Sequence, residues 1–428
     1  MYSVLTLTKI KNLIAEKDKK TLIENFFSLS FLQIATYILP LITLPYLVRV
    51  LGPEKFGLIA FSQAFIQYFM LLTDFGFNLS ATREISIHRE DKKHISKIFV
   101  SVFIIKLLLL LIAAFIIIVI VNYFGKFNTD KSVFYLTSLS IIGWVMFPQW
   151  FFQGIENMKF VTLFNVSAKL FFTICIFTFV KSESDYLIVP LLNSIGLILS
   201  GLISVFISLK YFNLTLQFPS FLEIKFQFLE GWHIFLSNIS INLYTTSNNV
   251  ILGLLTNNTI VGYYSAAEWI FKAFQQLGMP IYQSLFPYLS KLYIEDSKKA
   301  LLIFNKLFKI TLVVTFFVSL FLTFLSPLIV KLLLGDKYQE SIIILSLLSW
   351  VIFASWGNYT LGIQGLVNFG HKKKFTKYVL ICGIFHIIVL SICIQLWGYI
   401  VVPIVWFVTE SLIFSLEYRF LKKIKIIK

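Results

Sequence analysis

Polar side chains recur at helical spacing inside segments that are otherwise apolar. Asn238, Asn242, Thr245 and Asn249 form one stripe, with Ser237, Tyr244 and Asn248 beside it. Glu268, Lys272 and Gln275 stand at i, i+4 and i+7, and Gln63, Gln67 and Asp74 at i, i+4 and i+11. These spacings place each set on one face of a helix. Polar side chains that face lipid are costly, so the faces must point at protein or water. Buried carboxylates such as Asp74 and Glu268 are natural carriers of a proton or a cation. A buried lysine needs an anion or a wet cavity. Hydrogen bonding between helices is the competing use of such groups. For the Asn238–Asn249 stripe the number of amides exceeds what packing needs, which favours a cavity wall. For Glu268 and Lys272, one turn apart, mutual neutralisation and cavity function stand level. Lys169 lies near the centre of its segment with no acidic residue one turn away. Lys106 lies about two turns from a segment end, where a lysine can snorkel. His386 reads as a hydrogen-bonded packing residue.

No Walker loop, HExxH or GxSxG occurs. Cys175, Cys382 and Cys393 form no CxxC or Cys/His cluster. Neither a metal, a cofactor nor a disulfide framework is indicated, and the chain does not read as an enzyme.

The segments that carry these residues are membrane spans. The chain has 428 residues, of which 58% are apolar, and a mean hydropathy of +0.83. About 20 mostly apolar residues cross a bilayer. Runs of that length lie near 26–48, 57–80, 99–121, 133–152, 160–180, 186–209, 232–255, 261–287, 307–330, 342–363, 375–396 and 399–420. The expected fold is all-α, a polytopic integral membrane protein of about twelve transmembrane helices. Links are too short to fold as domains, which takes roughly 50 residues or more. The polar, Lys-rich first 24 residues precede an apolar run too long for a signal core, so no cleavable signal peptide is expected.

The net charge of +16 is distributed as a topology signal rather than a nucleic-acid surface. Of 37 Lys and Arg, 27 fall at the termini and in every second link, 7 in the opposite links, and Lys106, Lys169 and Lys272 lie well inside spans. This bias predicts cytoplasmic N- and C-termini. Pro40 and Pro45 interrupt the first span, and Pro280 and Pro287 the eighth.

Two halves follow one plan. Gly57, Gln63, Gln67, Lys93, Ile98 and Phe99 fall onto Gly262, Glu268, Lys272, Lys298, Ile303 and Phe304 at an offset of 205. Gln153, Gly154 and Asn157 match Gln364, Gly365 and Asn368 at an offset of 211. Six spans per half make a parallel repeat, with a substrate site expected between the halves. The organisation is then a six-helix lobe over 1–209, a cytoplasmic connector over 210–230, and a six-helix lobe with a basic tail over 231–428.

The stretch LPYLVRVLGPEKFGLIAFSQAFIQYFMLLTDFGFNLSATREIS, residues 44–86, resembles the O-antigen flippases. These are the polysaccharide-biosynthesis translocases of the multidrug/oligosaccharidyl-lipid/polysaccharide exporter superfamily. The resemblance is strongest at VLGPEKFG (50–57), TDFGFNLSATRE (73–84) and FFQGIENMKF (151–160). It implies two lobes around a cavity that opens alternately to each side of the bacterial inner membrane. It also implies an undecaprenyl-diphosphate-linked oligosaccharide as substrate, O-antigen or a related repeat unit. Membrane lipid and polysaccharide polymerase machinery are the implied partners, and no nucleic acid. A diphosphate needs cations, for which Arg49, Lys169 and Lys272 are the candidates. Sugars need amides, hydroxyls and rings, which Asn238, Asn242, Thr245 and Asn249 supply, with Tyr37, Tyr244 and Tyr264 as stacking surfaces. A multidrug or cation antiporter of the same superfamily is the alternative, and would favour an acidic, aromatic pocket. A membrane-embedded polymerase or ligase is disfavoured by the short exoplasmic links.

Overall fold

The computed structural model describes residues 39–214 and 217–427. Regular structure among them is helical throughout. The helices are α1 (39–74), α2 (Phe77–Ile87), α3 (Lys92–Tyr123), α4 (Gly125–Asn128), α5 (Lys131–Met146), α6 (Gln149–Gly154), α7 (Met158–Phe179), α8 (Ile188–Lys210) and α9 (Phe221–Thr245). They continue with α10 (Ser247–Leu255), α11 (Asn258–Gln276), α12 (Met279–Glu295), α13 (Ser297–Leu333), α14 (Glu340–Tyr359), α15 (Lys372–Trp397) and α16 (Val401–Lys423). A π-helical stretch, Thr360–Val367, extends α14.

Nine of the described helical runs are long and apolar enough to cross a membrane. The difference from twelve has identifiable sources. Residues 26–38 of the first expected span lie outside the described residues, and its remainder, 39–48, continues into the second as one run, Leu39–Ile87. Within it Gly52 adopts a left-handed φ of +67°, directly before Pro53. Glycine tolerates that conformation and proline suits a first helical turn, so the helical run passes through this point without a loop. The seventh expected span breaks at Thr246 between α9 and α10, and the eighth at Leu277–Gly278 between α11 and α12. None of these four pieces meets both requirements by itself. The outer face of α3 is bare: Leu111 and Phe115 are 67% and 70% exposed. An apolar surface of that kind belongs against lipid.

Backbone contacts divide the chain into two compact units. One comprises Ile66–Lys181 and Leu187–Leu236; the other Leu44–Phe65, Ser182–Tyr186 and Ser237–Lys428. Residues 44–65 thus group with the C-terminal residues rather than with the rest of 1–209.

In the first unit α5 packs along α8 and α7 along α8. The α5–α8 approach rests on small residues: a methyl on Gly143 would lie 2.4 Å from the Leu197 carbonyl carbon, and one on Gly201 2.8 Å from the Gly143 oxygen. Close approach through small residues is the usual basis of helix association in membranes. After α1, Phe75 and Gly76 turn the chain with φ of 48° and 83°, and the buried Phe75 ring stacks on Phe228 and Phe235 of α9.

In the second unit α14 packs on α11, α13 and α16, and α15 on α16. Helix starts are capped where the sequence supplies acceptors. Asn257 accepts the Ile260 N–H at the head of α11, and Asp296 the Lys299 N–H at the head of α13, each at 3.0 Å. The glycines that the offset of 205 pairs meet at a crossing of α1 with α11. A methyl on Gly57 would lie 1.8 Å from the Asn258 oxygen, and one on Gly262 1.9 Å from the Pro53 oxygen.

Candidate functional site

The broken helices of the second unit converge on one cavity of about 510 Å³. Thr245 and Thr246 line it at the α9–α10 break, Gln275, Gln276 and Met279 at the α11–α12 break, and Asn358, Tyr359 and Ile363 where α14 becomes π-helical. Irregular backbone at membrane depth is tolerated where it lines a cavity, and π-helical turns collect at functional sites. Lys272, Glu410 and Glu417 carry the charge of the wall.

Lys272 Nζ lies 3.0 Å from Glu268 Oε1; its side chain is 47% exposed and that of Glu268 3%. The second Glu268 oxygen accepts the Asn249 amide at 2.7 Å, and Asn249 Oδ1 accepts the Ser265 hydroxyl at 2.8 Å. One amide of the polar stripe therefore holds the eighth span's carboxylate. Asn242 donates to the Asn238 carbonyl of its own helix at 2.9 Å, and Thr246 donates to Asn242 Oδ1 at 3.3 Å. Thr245 reaches the cavity.

The remaining expected residues are dispersed. Tyr264 is wholly buried. Tyr37 lies outside the described residues, and of Tyr244 only the backbone is described. Arg49 is exposed, and its guanidinium donates to the Leu332 carbonyl at the end of α13. A cation there also opposes the negative end of the helix dipole. In the first unit Lys169 is half-buried, with no ion pair among the described residues. Asp74 is buried and accepts the Asn78 amide at 2.7 Å. Lys106 does not snorkel. It is 1% exposed, donates to the Trp144 carbonyl at 3.4 Å, and faces Asp74 electrostatically without forming an ion pair. The carbonyl it meets belongs to α5, which packs against α3. His386 is the hydrogen-bonded packing residue expected, bonded to Thr409 and Asn248 at 2.9 Å each.

The largest omission of the sequence reading is the acidic pair of the last span. Glu410 and Glu417 stand at i and i+7 on α16, hence on one face, and are 4% and 0% exposed. Glu410 is supplied with donors: the Asn358 amide bonds its carboxylate and also its backbone oxygen at 2.7 Å, and the Trp406 indole lies 3.2 Å away. Neither Glu417 oxygen has a hydrogen-bond partner among the described residues. One of them packs so tightly that a methyl on Gly362 would lie 2.7 Å from it. Asn358 Oδ1 is likewise unpartnered. Two carboxylates in an apolar run are the signal that was available, since such groups inside a membrane are functional candidates by default. In this cavity region Glu268, Glu410 and Glu417 outnumber Lys272.

The wall can therefore offer one cation, several acceptors that seek a proton or a donor, and aromatic surface from Trp356 and Tyr359. Comparison with known proteins gives this wall a context. Residues 22–293 match the family described as polysaccharide biosynthesis protein. Two relatives carry the name "Putative O-antigen transporter". That of Escherichia coli (strain K12) is 29% identical over 410 residues, covering 96% of this chain and 99% of its own. That of Shigella dysenteriae is 31% identical over 318 residues, covering 74% and 79%. Among solved structures, the lipid II flippase MurJ in an inward closed conformation superposes with a TM-score of 0.73 at 17% identity, over 94% of this chain and 87% of that one. An inward-facing multidrug resistance MATE transporter of the MOP superfamily gives 0.69 at 16% identity, over 93% and 99%. These two likenesses concern the fold.

Proposed function

The chain belongs to the polysaccharide biosynthesis protein family, and from that premise we propose that it is a flippase for a lipid-linked oligosaccharide. It acts as a transporter rather than an enzyme, by alternating access. The observation that carries the reading beyond membership is the C-terminal cavity, where three interrupted helices bring a lysine, amides, carboxylates and aromatic surface together. Interrupted spans around a polar cavity are how transporters hold a substrate inside the bilayer. The name of the two relatives supports the substrate class.

In finer terms, the lipid anchor is undecaprenyl diphosphate, and the glycan is O-antigen or a related polysaccharide repeat unit. Lys272 meets the diphosphate, assisted by Lys169 and Arg49. Asn238, Asn242, Thr245 and Asn249 meet the sugars, with Tyr37, Tyr244 and Tyr264 as stacking faces. Tyr264 must be uncovered at another stage of the cycle. The protein lies in the bacterial inner membrane with both termini cytoplasmic, and hands its product to polysaccharide polymerase machinery. Nothing in the sequence hydrolyses ATP, so directionality needs an ion gradient or removal of product. Asp74 and Glu268 are candidates for coupling, and Glu410 and Glu417 join them on the strength of their burial.

The excess of carboxylates around Lys272 favours the second reading, a multidrug or cation antiporter. One experiment separates the two. A deletion strain is expected to accumulate lipid-linked repeat units on the cytoplasmic face, and the restored gene to clear them. Accumulation on neither face, with lost drug tolerance instead, would establish the antiporter.

A further inference from the structure

A second polar cluster lies in the first unit, away from the cavity. Glu84 stands near the end of α2, His88 one turn on, and His94 in the first turn of α3. The ligand atoms of all three lie within 4.8 Å of one another. Glu84 Oε1 is 3.5 Å from His88 Nδ1 and 3.7 Å from His94 Nε2. Metal–ligand bonds of about 2.0–2.2 Å around tetrahedral zinc put neighbouring ligand atoms about 3.3–3.6 Å apart. The cluster is thus already close to the edges of a zinc polyhedron.

The surroundings leave a cation wanting. Two nearby basic residues are matched elsewhere: Lys97 to Glu223 at 2.9 Å, and Arg89 to Glu156 at 2.7 Å. The Lys97 bond and the Ser220 backbone hold the Glu223 carboxyl down at about 2, so that pair stays charged. Glu84 has no lysine or arginine within ion-pair distance among the described residues. His94 Nε2 is sealed from solvent without a hydrogen-bond partner. Ser101, 1% exposed, has an unpartnered hydroxyl and lines the same cavity of about 210 Å³ as Glu84 and His94.

We propose that Glu84, His88 and His94 form a zinc site that clamps the elbow between α2 and α3. Two imidazoles and one carboxylate suit zinc and exclude magnesium or calcium as the preferred ion. The fourth position falls to water in the Ser101 cavity. His88 Nδ1 now lies 3.0 Å from the Glu84 carbonyl. Metal binding replaces that contact, and any proton carried there leaves to solvent.

The full chain, purified in nanodiscs and stripped with EDTA, is titrated with zinc chloride by calorimetry. One zinc per chain is expected, with a raised Tm. His88→Ala/His94→Ala and Glu84→Gln should each lose the heat of binding, whereas Lys93→Ala should retain it. Cobalt(II) added to the unmutated chain should give the intense visible absorption of a tetrahedral ion. That readout stands even if a variant fails to fold. Absence of zinc binding, zinc uptake equal in the double variant, or only weak octahedral cobalt absorption would each overturn the site. These results do not depend on transport, so they test the clamp separately from the flippase reading.

Discussion

At the scale of single residues, the cavity wall sets one lysine against two carboxylates, with Glu268 paired to the lysine behind it, and the partners of each decide what a substitution does. Removing Lys272 leaves Glu268 with only Asn249. A buried pair broken on one side costs about 3–5 kcal/mol, but an exposed pair is worth about 0–1 kcal/mol. Lys272 is 47% exposed but Glu268 only 3%, so the stability loss should fall between these figures. Lys272→Ala is expected to abolish surface glycan at undiminished protein level, and Lys272→Arg to keep part of the activity because the charge survives. Immunoblots and glycan gels on the same cells decide it. Reduced level in Lys272→Ala, with level and function both restored by Glu268→Ala/Lys272→Ala, would make the pair structural. Glu417 differs in having no hydrogen-bond donor among the described residues. A bare buried carboxylate is too costly to persist, so its charge must be neutralised by a proton or a small cation. In proteoliposomes an imposed proton or sodium gradient should accelerate flipping. Glu417→Gln, Asp74→Asn or Glu268→Gln should remove that acceleration but not substrate binding. Equal rates with and without every gradient in the unmutated protein would leave passive flipping as the mechanism.

At the scale of elements, glycine governs where helices end and how closely they cross. Gly52 has open space where a side chain would go, so Gly52→Ala meets only the strain of its positive φ, about 1–2 kcal/mol. Gly262→Ala instead drives a methyl into the Pro53 carbonyl. Overpacking typically costs about 1–3 kcal/mol, and backbone leaves little room to relax. Thermal melts of fluorescent-protein fusions followed by size exclusion should rank Gly262→Ala and Gly57→Ala well below Gly52→Ala. Similar midpoints for all three would show that the crossing of α1 with α11 is looser than the geometry implies. The breaks at Thr246 and Leu277–Gly278 belong to the same scale. Pro280 stands in the first turn after the second of them, where proline suits a helix start, whereas Pro287 lies inside α12 without ending it. Pro45 did not break α1.

At the scale of the whole molecule, charge fixes orientation and apolarity fixes depth. The bias of 27 to 7 Lys and Arg predicts that reporter fusions after Lys20 and after Lys423 both report cytoplasm. An exoplasmic signal from either would reverse the orientation. The division into two units bears on the cycle, because residues 44–65 group with the C-terminal unit although they lie early in the chain.

Hydropathy adds up residue by residue along the chain. Helicity, membrane residence and the family motifs at 50–57 and 73–84 were therefore determined by the sequence alone. The i, i+4 spacing put Glu268 and Lys272 within reach of one another, because a helix repeats its faces every 3.6 residues, while the choice between pairing and cavity contact, and the break that moves Asn249 onto α10, came from the structure. Tertiary structure decided the rest. Arg49 meets a carbonyl 283 positions away, and Asn358 meets Glu410 across 52. Lys106 meets a carbonyl of α5. Glu410 and Glu417 become cavity residues because the unbroken α16 faces the α9–α10 and α11–α12 breaks and the π-helical end of α14. Periodicity gives the direction of a side chain around its own axis, while the neighbour it meets depends on helix rotations and crossings that no local pattern encodes.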